Sequence, residues 1–123
     1  MNTIREIITI ENFDQLWQES LKQPVLLLKH STTCPISANA YKEFNAFINQ
    51  NNLESDETQL PVISALVKVI ESRPTSLHIA DFTKIAHQSP QILLIKGQQV
   101  IWKESHMKIT KKAIVEALKN ETV

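Results

Sequence analysis

The chain has 123 residues, 42% of them hydrophobic and 6% aromatic, enough for one domain whose core needs no cross-links. Its 13 Lys and Arg balance 13 Asp and Glu, so the zero net charge gives no argument for nucleic acid or an anionic membrane surface. With one cysteine, no apolar run of membrane-spanning length and no cationic-then-apolar opening in Met1 to Glu6, the expectation is a single cytoplasmic domain over residues 1–123.

Ile4 to Ile10 alternates imperfectly and predicts a first strand. Asn12 with Gln15 three residues on has the form of a capping box, and Phe13, Leu16, Trp17 and Leu21 recur behind it at helical spacing. Pro24 ends that helix. Val25-Leu26-Leu27-Leu28 is a continuous apolar run, as in a strand covered on both faces. Ile36, Ala40, Phe44, Phe47 and Ile48 mark a second helix, and Pro35 suits its first position, where a missing N–H costs nothing. Asn49 to Gln59 is polar and predicts a loop, followed by a buried strand from Val62 to Ile70. Ser72-Arg73-Pro74 opens a third helix with Leu77, Ile79, Phe82 and Ile85 as its predicted inner face. Ile92 to Ile95 and Val100 to Trp102 flank Lys96-Gly97-Gln98-Gln99 as a hairpin, with the chain's one glycine at the turn. Thr110 caps a last helix carrying Ala113, Ile114, Ala117 and Leu118.

The order is therefore βαβαβα followed by ββα. It matches an α/β, thioredoxin-like fold: a central mixed five-stranded sheet flanked by helices, with three parallel strands and then an antiparallel hairpin. Ligands in open α/β sheets bind beyond the carboxyl ends of the parallel strands, and Cys34 falls there.

Cys34 lies between a predicted strand and a predicted helix. A thiol at a helix start meets the positive end of the helix dipole and unpaired N–H groups, which favour the nucleophilic thiolate. Ser37, three residues later, lies on the same helical face and can donate a hydrogen bond to that thiolate, as the second sulfur does in Cys-x-x-Cys proteins. Ser89-Pro90-Gln91 precedes the hairpin's first strand. In a thioredoxin-like fold this proline is cis and faces the cysteine, and the backbone of Ser89 docks an extended substrate. The hairpin's second strand returns toward the same end, which brings Glu104-Ser105-His106 near the thiol. His106 then has two readings, a group for anionic ligand or proton transfer and an exposed loop histidine. His30 likewise either neighbours Cys34 or points to solvent, while His78 and His87 read as surface residues. The Trp and Phe residues read as core, and Lys42, Glu43 and Lys111-Lys112 as solvated faces. The histidines and the cysteine have no metal-ligand spacing. Leu28 stands where a thioredoxin carries a buried acid, and Leu27 where a peroxiredoxin needs proline.

Lys29-His30-Ser31-Thr32-Thr33-Cys34-Pro35-Ile36-Ser37, Arg73-Pro74, His87-Gln88-Ser89-Pro90-Gln91 and Ser105-His106 with Ile109-Thr110 resemble the monothiol bacilliredoxins, the redox-active, YtxJ-like proteins of the bacillithiol system. The resemblance spans nearly the whole chain, and Thr-Cys-Pro-Ile-Ser is its most specific part. It implies a thioredoxin-like fold, Cys34 as the redox thiol, and a cytosolic role in Gram-positive bacteria that use bacillithiol in place of glutathione.

The expected activity is that of a monothiol thiol–disulfide oxidoreductase, removing bacillithiol from protein mixed disulfides through S-bacillithiolated Cys34. Cys34 and Ser37 are the expected catalytic pair. Thr33, Pro35, Ser89, Pro90 and His106 are the expected substrate-binding set, with Lys108 beside His106 at the ligand's malate carboxylates. Bacillithiol is then a thiol co-substrate, with no tightly bound cofactor or metal. The partners are S-bacillithiolated client proteins and a low-molecular-weight thiol or a reductase. The alternative is a non-catalytic redox sensor or adaptor modified at Cys34. Iron–sulfur carriage ranks lower, because Pro35-Ile36 makes a tighter turn than the Gly-Phe of Cys-Gly-Phe-Ser glutaredoxins.

Overall fold

The strand begun by Val25 to Leu28 continues through Lys29 and His30, and all six residues are buried. Its two neighbours explain why. In the computed structural model, which describes residues 3–122, this strand lies at the centre of a five-stranded sheet. The elements are β1 (Ile4–Glu6), α1 (Ile10–Glu19), β2 (Val25–His30), α2 (Pro35–Leu53), β3 (Ile63–Lys68), α3 (Arg73–Thr83), β4 (Gln91–Ile95), β5 (Val100–Ser105), a 3-10 turn (His106–Lys108) and α4 (Lys111–Glu121). The sheet order is β1-β3-β2-β4-β5. β1, β3 and β2 are parallel, whereas β4 runs antiparallel to both β2 and β5. The α/β thioredoxin-like arrangement expected from the element order is the one observed.

Alternation along β2 divides the core in two. Leu26 and Leu28 pack with Phe44, Phe47, Ile114 and Leu118 from α2 and α4. Val25 and Leu27 pack with Phe13, Leu16 and Ile79 from α1 and α3. Each such fully buried side chain contributes roughly 1.5–3 kcal/mol, so the covered strand anchors both layers. The hairpin turn has Gly97 at φ 62° and Gln98 at φ 59°, the two positive angles of a tight two-residue turn. Its tip is docked on the end of α1, where Gly97 and Gln98 donate their N–H groups to the Ser20 carbonyl at 2.7 Å and the Ser20 hydroxyl at 3.0 Å. A bulge follows, because Ile95 pairs with Val100 while Leu94 pairs with Trp102.

Several local expectations are corrected. The first strand stops at Glu6, not Ile10, and the cap of α1 is Thr9 rather than Asn12. Asn12 is instead the third helical residue, and its Oδ1 accepts the N–H groups of Ile8 and Thr9, both at 3.1 Å. Leu21 falls in the turn after α1 and is exposed. α2 runs on to Leu53, through half of the predicted loop. On α3, Thr75, Ser76 and Ile79 are buried, whereas Leu77 and Phe82 are about half exposed. Phe82 sits edge-on to Trp17 (5.0 Å between ring centres) in an aromatic cluster that spans α1 and α3 rather than in the core. Glu43 is not merely solvated: its Oε1 accepts the Lys111 N–H at 2.9 Å and ties the start of α4 to α2.

Candidate active site

Cys34 caps the start of α2, after a turn at Thr32 and Thr33 that follows β2. Its backbone is extended (φ −103°, ψ 125°), and its carbonyl accepts the Ala38 N–H at 2.9 Å. Pro35 takes the first helical position as expected. The side chain makes no capping bond to the helix. Cys34 is half-buried, while Thr33, Pro35 and Ile36 around it are exposed. Cys34 therefore sits, partly exposed, at the positive end of a 19-residue helix. Behind it, the Thr32 hydroxyl donates to Glu71 Oε2 at 3.0 Å and pins the turn to the end of β3.

Ser37 is fully buried, and its hydroxyl is already shared. Ser37 Oγ accepts the Ser31 N–H at 2.9 Å and lies 2.7 Å from His30 Nδ1. Ser37 thus closes the turn between β2 and α2, a role the local sequence does not announce. Of the two readings left open for His30, the solvent-facing one is excluded by its burial, and its contacts are with Ser37 and Tyr41 of α2 rather than with Cys34. His30 is 8% exposed, and its ring stacks on Tyr41 with centres 4.9 Å apart. Burial holds the His30 pKa below its ordinary value, with Lys68 acting in the same direction and Glu71 and the Ser37 contact opposing.

The Ser89–Pro90 peptide is cis, and Pro90 is buried. Lys29 pairs with Gln91, so Pro90 lies one residue past the end of the β2–β4 ladder, at the His30 end of the sheet. The Pro90 carbonyl accepts the His106 N–H at 3.0 Å, and Gln91 pairs with Ser105. The Ser105-His106 corner is thereby fixed to the proline, and the 3-10 turn that follows packs on α2. His106 itself is exposed, with a left-handed backbone (φ 56°). The Ser89 hydroxyl is buried without a hydrogen-bond partner. The sheet and the start of α2 thus gather the expected residues Thr33, Cys34, Pro35, Ser37, Ser89, Pro90 and His106 at one end of the fold.

A profile of the family described as monothiol bacilliredoxin BrxC matches residues 5–114. The chain belongs to the monothiol bacilliredoxin family. A solved structure of a proposed oxidoreductase with a thioredoxin fold is 31% identical, with a TM-score of 0.79 over 93% of this chain and 92% of that one. More distant matches share the fold alone. Thioredoxin from Fasciola hepatica is 14% identical, with a TM-score of 0.71 over 96% of this chain and 99% of that one. The short form of spinach chloroplast thioredoxin f is also 14% identical, with a TM-score of 0.73 over 99% and 96%. Family and fold together make this a redox protein of the thiol–disulfide class, and its one cysteine fits the monothiol description.

This bacilliredoxin also carries a buried lysine paired with a histidine at the surface. Lys29 is fully buried on the Val25–Leu27 face of β2. Its Nζ donates to the Ser76 carbonyl at 3.2 Å and lies 3.1 Å from His87 Nδ1. Desolvation lowers its pKa to about 8. A lysine ammonium has only donors, so the Nδ1 it meets is the unprotonated nitrogen of a neutral His87. Burial is the chief cause that lowers the His87 pKa, and the Lys29 and Arg73 charges add to it. His87 is exposed as expected, yet it is not idle, because it links β2 to the loop that leads into Ser89-Pro90. His78 departs from expectation: it is half-buried, and its ring stacks on Phe82. The sequence did hold one signal for Lys29, a charged residue continuing an apolar run in register with Val25 and Leu27. Among the described residues no three His, Cys, Asp or Glu side chains gather as a metal site, and no helix is long and apolar enough to cross a membrane.

Proposed function

We propose that this family member removes bacillithiol from protein mixed disulfides in the cytoplasm. The observation that carries the reading is the address of its one cysteine, half-exposed at the start of α2 between exposed Thr33 and Pro35. The Cys34 thiolate attacks the bacillithiol sulfur of an S-bacillithiolated client. A bond forms between Cys34 Sγ and that sulfur, the client S–S bond breaks, and its electron pair leaves on the client thiolate. With no second cysteine in the chain, the sulfur that regenerates Cys34 comes from outside, either free bacillithiol or a partner reductase.

Thr33 and Pro35 flank the incoming disulfide, and the Ser89 backbone pairs with the bound cysteinyl moiety beside Pro90. His106 and Lys108, carried on the exposed 3-10 turn, face the malate carboxylates. Support for this assignment is the bond between the Pro90 carbonyl and the His106 N–H, which keeps the two halves of the docking edge in register.

The test is intact-mass spectrometry after mixing the protein with an S-bacillithiolated client. The expected result is a Cys34 adduct of bacillithiol mass and a freed client thiol, both lost in Cys34→Ser. An unmodified Cys34 alongside an intact client mixed disulfide would overturn the proposal.

A further inference from the structure

Lys29 occupies a position that packing alone would give to an aliphatic residue. It continues the Val25–Leu27 face of β2 and is fully buried. A buried ammonium is costly to hold, and well-packed hydrophobic groups often replace buried charges with no loss of stability. The bonds of Lys29 show where its use lies. One goes to the Ser76 carbonyl inside α3 at 3.2 Å, and the other reaches His87 Nδ1 at 3.1 Å. His87 belongs to no helix or strand and sits in the stretch that joins α3 to β4.

That stretch has little else to hold it. Ala86, His87 and Gln88 are exposed, and among the described residues Ala86 to Ser89 make no backbone–backbone hydrogen bond. Such a segment opens easily unless side chains tie it down. Two side chains do so, and they come from one place on the sheet. Lys29 and Gln91 are partners across the β2–β4 ladder, and both are buried on the same face. Lys29 holds His87, and Gln91 Nε2 donates to the Ala86 carbonyl at 3.2 Å. Ser89 comes two positions after His87. On its other side the chain is fixed by the bond from His106 N–H to the Pro90 carbonyl and by β4 itself. Ser89 is thus held from both directions, with its own N–H and carbonyl left free of the fold's backbone bonds.

We propose that Lys29 is a positioning residue for substrate docking, acting through His87 to set the place of the Ser89 backbone and hence a preference for amide-flanked cysteinyl disulfides. The buried ammonium lowers stability and is retained for recognition. Lys29 touches no substrate and leaves the chemistry at Cys34 alone. What it governs is how well the edge before Pro90 meets an amide beside the attacked sulfur. A disulfide with no amide has nothing for that edge to read, so its reaction does not depend on Lys29.

The inference rests on Ser89 docking substrate beside Cys34, as in the proposed function, but its test needs no bacillithiol. The probes are two mixed disulfides of thionitrobenzoate, one with N-acetylcysteine methylamide and one with mercaptoethanol, which has no amide. The Cys34 thiolate attacks the aliphatic sulfur and forms a new S–S bond there. The old S–S bond breaks, and its electron pair leaves on thionitrobenzoate, the lower-pKa thiol, whose colour reports the rate. Each rate is divided by that of the same probe with a free small thiol, which removes intrinsic reactivity.

Wild type is expected to favour the amide probe. Lys29→Met should lower that rate by up to about tenfold, the effect of one docking hydrogen bond, and leave the mercaptoethanol rate unchanged. Its urea midpoint at pH 7 should stay level or rise, which a purely structural lysine would not allow. His87→Ala cuts the same tie from the exposed side and gives the same reading if Lys29→Met folds poorly. The double variant should fall no further than either single one. A wild type without the preference, an equal fall with both probes, or a preference that survives both substitutions would overturn the inference. The two proposals fail separately. A preference that depends on Lys29, without turnover of an S-bacillithiolated client, sinks only the bacillithiol assignment. Client turnover with a preference indifferent to Lys29 and His87 sinks only the role of Lys29.

Discussion

Lys29 is the most conspicuous residue outside the cysteine turn, because a lysine is rarely covered so completely. Its ammonium finds the Ser76 carbonyl and His87, but burial still disfavours the charge and lowers the pKa to about 8. The unfolded chain keeps the proton up to the ordinary lysine value of 10.5, whereas the folded chain gives it up near 8. Between those values the unfolded state binds more protons, so stability rises with pH through the window. The gain expected by pH 9.5 is about 1–2 kcal/mol, toward the lower figure once solvent screening is allowed for. Urea unfolding of wild type between pH 7 and 9.5 should show that rise, and Lys29→Met should be flat relative to it. Equal slopes in the two proteins would mean that Lys29 is solvated in the native state.

At the scale of elements, the end of α2 shows what local pattern can and cannot read. Asn49 to Asn52 look like loop residues, since asparagine competes with the helix backbone for its hydrogen bonds. The helix continues because Asn51 turns inward. Its Nδ2 donates to the Leu60 carbonyl and its Oδ1 accepts the Leu60 N–H, both at 2.9 Å, so one side chain pairs with the backbone of the loop nine residues away. Asn51→Ala orphans both Leu60 groups and is expected to cost about 1–3 kcal/mol, read from the urea midpoint. The same difference of range explains the rest of the comparison. Cys34 at a helix start, Pro35 at its first position, the Ser89–Pro90 turn before β4 and the 97–98 hairpin all depend on neighbours in sequence and are legible there. His30 with Ser37 depends on how the chain turns between β2 and α2, and Lys29 with His87 on which segments the fold packs together. The second of these pairs lies 58 positions apart, so no spacing rule could have found it. Leu77 and Phe82 were misplaced because a helix packed over a sheet at its Thr75, Ser76 and Ile79 face leaves other apolar residues outside.

For the whole molecule, acid is the condition that tests His30 and His87 together. His30 and His87 both have pKa values held below the ordinary 6.5, each chiefly by burial. Their neutral forms belong to the folded state, and the unfolded chain takes up protons first as pH falls through 6.5. The stability these groups confer is complete above that value and is lost as pH drops through their folded pKa values. Denaturation midpoints should therefore fall between pH 7 and pH 5, before carboxylates begin to titrate, and fall less in His87→Asn. A midpoint unchanged across that range would remove both histidines from the account of stability.

The bulge in β5 has a consequence of another kind. β5 ends the sheet on one side and β1 on the other, so their outer backbone groups are the places where a foreign chain could add itself as a further strand. β1 offers three residues. β5 offers six, but the pairing shift after Leu94 bends them out of line, and Lys103 stands exposed in the stretch that remains. Bends, charges and short lengths are what discourage edge-to-edge growth. The irregular pairing of the last strand and the shortness of the first thus leave the two rims of this sheet poor templates for another copy.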